Sequence, residues 1–316
     1  MRKSAPGRVA SAVVVAALAA SLAACGSEAS GGSGESGSSG AITVTDDTGV
    51  EITLDGPVDR IACLTMICVD ALTEVGITPV AYREPLALDE RYAGPDADMR
   101  EITGGFGEEN VEDVVLAAPD LVIGLAGAQD GLRDAVEEAA PLLLVEPTSW
   151  QESVDFLRLV GDLTGTEEVA DEAADAFTER VEHLAEHRTD LVTLSMYGEP
   201  GSLGVDTVAT PVGSLLAEVG EYPWDGGGVD DPFAAIAVEQ IAALDPDVVF
   251  VQAFSASSDT EPLAERLATD PQWAALRAAQ DDRVVEVEAS VWATGRGTIS
   301  LGIVLDTVEE ELGLHA

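Results

Sequence analysis

This 316-residue chain has one lysine, three cysteines, three histidines and an aromatic content of only 4%. The lysine is Lys3, so neither a phosphate-loop lysine nor a Schiff-base lysine exists downstream. Basic residues number 15 against 59 acidic ones, a formal net charge of -44. A surface of that sign repels phosphate and excludes a general nucleic-acid binder. No Gly-x-Ser-x-Gly elbow occurs, and no histidine stands beside a candidate nucleophile, so the sequence does not read as an enzyme. His183 and His187 are four apart on one predicted helix face and could hold a metal with a third ligand. A solvated helix face is the plainer reading, His315 is remote, and no metal site or cofactor is expected. Apart from the amino terminus, no apolar run approaches the length of a membrane span.

What is present is 46% hydrophobic residues, enough for two ordinary domains with real cores. Residues 1–25 have a basic start (Arg2, Lys3, Arg8), a short apolar stretch and the ending Leu22-Ala23-Ala24-Cys25-Gly26. This reads as a secretory signal. Its ending resembles a bacterial lipobox, which implies that Cys25 is lipidated and anchors the chain to the outer face of the cytoplasmic membrane. Residues 26–40 form a Gly/Ser tract that cannot bury a core and would act as a flexible tether of roughly 20 Å.

Beyond it, Ile42 to Leu54 alternates like a hairpin around Asp46-Asp47-Thr48-Gly49. Arg60 to Leu64, a helix over Val69 to Val75, and Pro79 to Tyr82 then predict a strand–helix–strand unit of a parallel sheet. The segment Val111 to Ile123 repeats without a gap as Val238 to Phe250, 127 residues later. Each copy reads as a helix with an apolar stripe, a Pro-Asp and an apolar strand. Between the copies, Thr148 to Arg188 is helical in spacing, interrupted at Gly161 and Gly165. A helix over Glu167 to Arg188 would run roughly 33 Å. The expected layout is an α/β lobe over 41–148, a connecting helix over 149–188 and a second α/β lobe over 189–316.

In this order and spacing the chain resembles the solute-binding proteins of ABC importers for iron–siderophore complexes and vitamin B12. The opening hairpin with Arg60-Ile61, the Asn110 to Ile123 segment, Asp270-Pro271-Gln272-Trp273 through Arg283-Val284-Val285, and Val291-Trp292 before a terminal helix carry the resemblance. It implies two three-layer α/β lobes joined by a single long rigid helix, the class III helical-backbone type. Its ligand would be a ferric siderophore held between the lobes, with iron only inside the chelate, and its partners a membrane permease and its ATPase. Vitamin B12, haem, or a lipid-anchored sensor role are the alternatives. The strongly acidic body favours a neutral or cationic hydroxamate chelate over an anionic tris-catecholate.

The resemblance also places docking acids near a helix start in each lobe. Asp70 takes that place in the first lobe; Ser214 stands at the matching place in the second, and Glu218, one turn on, is its candidate substitute. Cleft residues should follow strand ends. On that basis Trp224, Tyr222, Tyr82, Arg83, Phe106, Tyr197, Trp292 and Arg296 are the candidate ligand contacts, with aromatics supplying area and arginines bonding chelate oxygens. Cys63 and Cys68, at a strand end and the next helix start, are either a disulfide or two buried thiols.

Overall fold

The computed structural model describes residues 40–83, 99–225, 236–253 and 261–314. The signal and tether up to residue 39, with Cys25, lie outside the described residues, as does His315.

The first lobe opens with the antiparallel hairpin β1 (Ile42–Thr45) and β2 (Glu51–Leu54). Asp46 fixes its turn, accepting the N–H groups of Thr48 at 3.0 Å and Val50 at 2.9 Å. There follow β3 (Ile61–Cys63), α1 (Met66–Glu74), β4 (Ala81–Tyr82), β5 (Arg100–Glu101), the small hairpin β6 (Gly104–Gly105) and β7 (Glu108–Glu109), α2 (Val111–Ala117), β8 (Leu121–Leu125), α3 (Arg133–Val136) and β9 (Leu142–Val145). Five of these strands form a parallel sheet in the order β5-β4-β3-β8-β9. Its period-2 alternation is visible in the packing. Ile61, Cys63, Leu121, Ile123, Leu143 and Val145 point to one core, while Ala62, Leu64, Val122, Leu142 and Leu144 point to the other.

Two helices then lead away, α4 (Trp150–Thr164) and α5 (Glu167–Ala185). The second lobe contains β10 (Thr193–Glu199), β11 (Ser202–Val205), α6 (Pro211–Val219), α7 (Val238–Leu244), β12 (Val248–Ala253), α8 (Leu263–Leu267), α9 (Arg277–Gln280), β13 (Val284–Glu288), α10 (Ala289–Trp292) and α11 (Thr298–Leu312). Its sheet runs β11-β10-β12-β13, with β11 antiparallel and the rest parallel.

The repeated segment folds as a repeat. The pairs α2–β8 and α7–β12 occupy corresponding sequence positions. Each helix ends on a left-handed residue, Ala118 (φ 47°) or Asp245 (φ 45°). Both precede a proline, which bars the helical conformation and stops the helix there.

The connector differs from one unbroken helix over 149–188. Gly165 adopts the left-handed region (φ 72°) and turns the chain, so α4 and α5 fold back on each other. Trp150 meets Phe177 edge-on with centroids 6.1 Å apart, and Arg158 pairs with Asp175 at 2.7 Å, an antiparallel register. Both helices pack on α1, α6 and α11, so one apolar core runs without a break from the first lobe through the connector into the second.

Candidate functional site

Where strands of the two sheets end, their following loops border a cleft of about 570 Å³. The first lobe supplies Leu64, Thr65 and Met66 after β3, Arg83 after β4, Phe106 at the tip of β6–β7, and Glu146 after β9. The second supplies Tyr197 on β10, Asp206 after β11, Gln252 on β12, Trp292 at the end of α10, and Arg296 between α10 and α11. This is the usual ligand rim of an α/β sheet, here doubled. The first turns of α1 and α6 (Met66; Pro211 and Val212) also border the cleft.

On the first wall, the buried Glu109 holds Arg83. Its Oε1 lies 3.3 Å from Arg83 Nε and accepts Gln129 Nε2 at 3.0 Å and the Gly107 N–H at 3.1 Å. The Arg83 guanidinium carbon sits 5.3 Å from the centre of the Phe106 ring, a cation–π contact. Phe106 itself is 58% exposed, an apolar ring presented to the open space. Gly107 (φ 76°) is required at this tip, since a Cβ there would lie 2.8 Å from the Ala128 carbonyl oxygen.

On the second wall, Asp206 Oδ2 accepts Ser195 Oγ at 2.7 Å and Gln252 Nε2 at 2.6 Å. Burial pushes its carboxyl up to about 6, against the lowering effects of the Ser195 hydrogen bond and the Arg296 charge. Arg296 has a left-handed backbone (φ 61°) and donates Nε to the Ala293 carbonyl at 3.1 Å. Burial lowers its pKa from the ordinary arginine value, opposed by Asp206 and Glu146. Trp292 is stacked on Phe250 with centroids 4.8 Å apart.

The loop from β3 to α1 is closed covalently. Cys63 and Cys68 form a disulfide with Cα atoms 5.5 Å apart, and both are fully buried. The three cleft residues Leu64, Thr65 and Met66 all lie inside this small ring.

Of the eight expected contacts, Arg83, Phe106, Tyr197, Trp292 and Arg296 reach the cleft. Three do not border it. Tyr222 is buried behind the wall, where its hydroxyl donates to the Asp206 carbonyl at 2.7 Å and accepts the Ser195 N–H at 3.3 Å. Trp224 is 9% exposed and belongs to the apolar core, as its size favours. Tyr82 packs against that core because strand alternation turns it away while Arg83 faces the opening.

Asp70 is also corrected. It is fully buried and accepts the N–H groups of Ile299 at 3.0 Å and Ser300 at 2.9 Å, at the start of α11. A carboxylate enclosed at a helix N-terminus cannot meet a partner at the surface. Glu218 is half-buried and accepts Trp150 Nε1 at 3.3 Å. His183 stands exposed on α5 and His187 exposed in the turn just after it, and among the described residues no group of three or more His, Cys, Asp or Glu is placed to hold a metal.

Sequence reasoning missed Asp206, Gln252, Glu109 and Glu146. One acid among 59 carries no distinguishing signal. Only the strand-end position of Asp206 and Glu146 could have found them.

Residues 61–291 match the periplasmic binding protein family. The Fe(3+) dicitrate-binding periplasmic protein FecB of Escherichia coli is 25% identical over 276 residues, covering 85% of this chain and 90% of that protein. The Fe(3+)-citrate-binding protein YfmC of Bacillus subtilis is 22% identical over 265 residues, 80% of each. Among solved structures, the triscatecholate siderophore-binding protein FeuA of Bacillus subtilis, complexed with ferri-bacillibactin, superposes with a TM-score of 0.71 at 18% identity. That alignment covers 86% of this chain and 98% of that one. The petrobactin-binding protein YclQ gives 0.74 at 13% identity, with the same coverage. At these identities the solved structures speak to the fold.

Proposed function

We propose, from the premise that this chain belongs to the periplasmic binding protein family, that it is a non-catalytic receptor that captures a ferric siderophore between its lobes and delivers it to an ABC permease and its ATPase. The observation that carries this reading is the cleft itself, with an aromatic and an arginine on each wall. Its volume falls within the range of small-molecule sites. Export and a lipid anchor through Cys25 suit such a receptor, and one relative named as a probable siderophore-binding lipoprotein and another named as a putative ABC transporter substrate-binding lipoprotein support that placement. With Asp70 enclosed, Glu218 remains the candidate docking acid, on the part of α6 that is not fully buried.

Charge inside the cleft supports a hydroxamate chelate. Arg83 is paired with Glu109, and Arg296 faces Asp206 and Glu146. The described walls therefore carry no surplus positive charge for a trianionic catecholate. A ferric trihydroxamate core is neutral, and its methylene arms suit the exposed ring of Phe106.

A ferric citrate ligand is the second reading. The half-buried Arg296 and the helix starts of α1 and α6 favour carboxylate oxygens, and two relatives are named for ferric citrate. Tryptophan fluorescence titration with a ferric trihydroxamate, ferric citrate and a ferric tris-catecholate separates the readings, with Trp292 as the reporter. Tightest binding of the trihydroxamate is expected. Clear preference for the catecholate overturns the hydroxamate reading, and no binding of any of the three overturns the receptor function.

A further inference from the structure

The second wall of the cleft contains an acceptor that the ferric core does not need. Iron in a hexadentate chelate has its ligands already, so a carboxylate on the wall can act only on the organic periphery. Asp206 borders the cleft and is half-buried, with one oxygen committed: Oδ2 accepts both Ser195 Oγ and Gln252 Nε2. Oδ1 has no hydrogen-bond partner among the described residues. No arginine lies within ion-pair distance of Asp206 among them, although Arg296 is near enough to influence it.

The committed side is rigidly built. Gln252 is 1% exposed and its Nε2 donates to both Ser195 Oγ, at 2.9 Å, and Asp206. Its Oε1 is buried without a partner among the described residues, so the amide adds acceptor character to this end of the wall. The Tyr222 hydroxyl pins the Asp206 backbone carbonyl. The carboxylate is thus held in place with one oxygen unpaired among the described residues, an arrangement that favours a donor arriving from the cleft.

Charge selects which donor. Arg83 is offset by Glu109, which leaves Arg296 against Asp206 and Glu146 on the described walls. That balance is one negative charge in excess, set in a body of formal net charge -44. A ligand with one positive charge complements it.

We infer that Asp206, oriented by Ser195 and Gln252, forms a subsite for a protonated amine on the periphery of the bound chelate. This deepens the receptor reading and rests on it: the ligand becomes a cationic ferric hydroxamate with a terminal ammonium group.

Two probes test it on the full-length protein: a linear ferric trihydroxamate bearing one terminal ammonium, and the same chelate with that amine acetylated. By fluorescence titration at neutral pH, the ammonium form should bind about tenfold more tightly. Asp206→Asn should reduce that ratio to about twofold or less, chiefly by weakening the ammonium form. Equal affinity of the two chelates for the wild-type protein overturns the subsite while leaving the hydroxamate reading standing. Failure of both to bind, with ferric citrate still bound, overturns the hydroxamate reading and the subsite with it. The comparison within the wild-type protein decides the matter even where Asp206→Asn does not fold.

Discussion

The Asp70 carboxylate on α1 accepts the backbone N–H of Ser300 on α11 at 2.9 Å, across 230 residues of sequence. It accepts Ile299 and the Ser300 hydroxyl as well, and Gly297 makes room for it, because a Cβ there would fall within the carboxylate. The bond joins a first-lobe helix to the helix that follows the Arg296 loop, so it tethers the two walls of the cleft from behind.

Asp70→Ala is expected to destabilise the fold by about 2–4 kcal/mol, since it strands buried N–H donors. Gly297→Ala should cost about 1–3 kcal/mol through the clash. The pH dependence has a defined sign. Burial pushes the Asp70 carboxyl up to about 7, so the folded chain binds more protons than the unfolded one between about pH 4 and 7. The contribution of Asp70 to stability therefore falls as pH rises through that window. Thermal unfolding of wild type and Asp70→Asn from pH 4.5 to 8 checks this: the wild-type advantage should shrink toward high pH, and a constant gap would mean the carboxyl is ionised throughout.

The disulfide makes a second case. Cys63→Ser with Cys68→Ser opens the ring around Leu64, Thr65 and Met66. Chain-entropy arithmetic for so short a loop gives a loss of about 2 kcal/mol. Ligand affinity should fall too, because part of the first wall loses its closure. Both cysteines are fully buried, so reductant alone should leave the native protein unchanged, while reductant with denaturant should release two thiols countable by thiol titration.

Arg296 separates stability from binding. Its positive φ is strained for a side chain and free for glycine. Arg296→Gly should leave the melting temperature unchanged or raised, yet weaken ligand binding about 10- to 100-fold. A parallel loss of both in calorimetry and titration would mark the residue as structural.

Glu109→Gln should disturb Arg83 while keeping an acceptor for Gln129 and Gly107. A destabilisation of about 1–3 kcal/mol is expected, together with weaker ligand binding. Binding unchanged within twofold would separate Arg83 from the ligand.

Much of the architecture was legible because periodicity records burial. The opening hairpin, β3, α1 and the helix–strand repeat follow from alternating or helical apolar patterns. The reversal at Gly165 was harder to read, since a glycine in a helical stretch is compatible with either a tolerated position or a cap. The site was partly legible. Arg83 and Arg296 are conspicuous in a chain poor in basic groups, and Phe106 stands out in a glycine loop. Asp70, Tyr222 and Trp224 misled because residue type and loop position do not report which way a side chain turns. Asp70 looked like a surface acid, but its partners lie on a helix at the far end of the sequence. The Glu109 and Asp206 networks depend on contacts across strands, which no local pattern encodes.

The fold-back of α4 on α5 has a mechanical consequence. A solitary rod can flex at any one turn, whereas two bars fastened along their length must slip past each other before either bends. Gly161 against Ala170 leaves no slack for slippage near the bend, and Arg158 grips Asp171 and Asp175 farther along. Loading the receptor should accordingly change its outline very little, so a transporter would have to distinguish full from empty by the surface around the opening rather than by the angle between the halves.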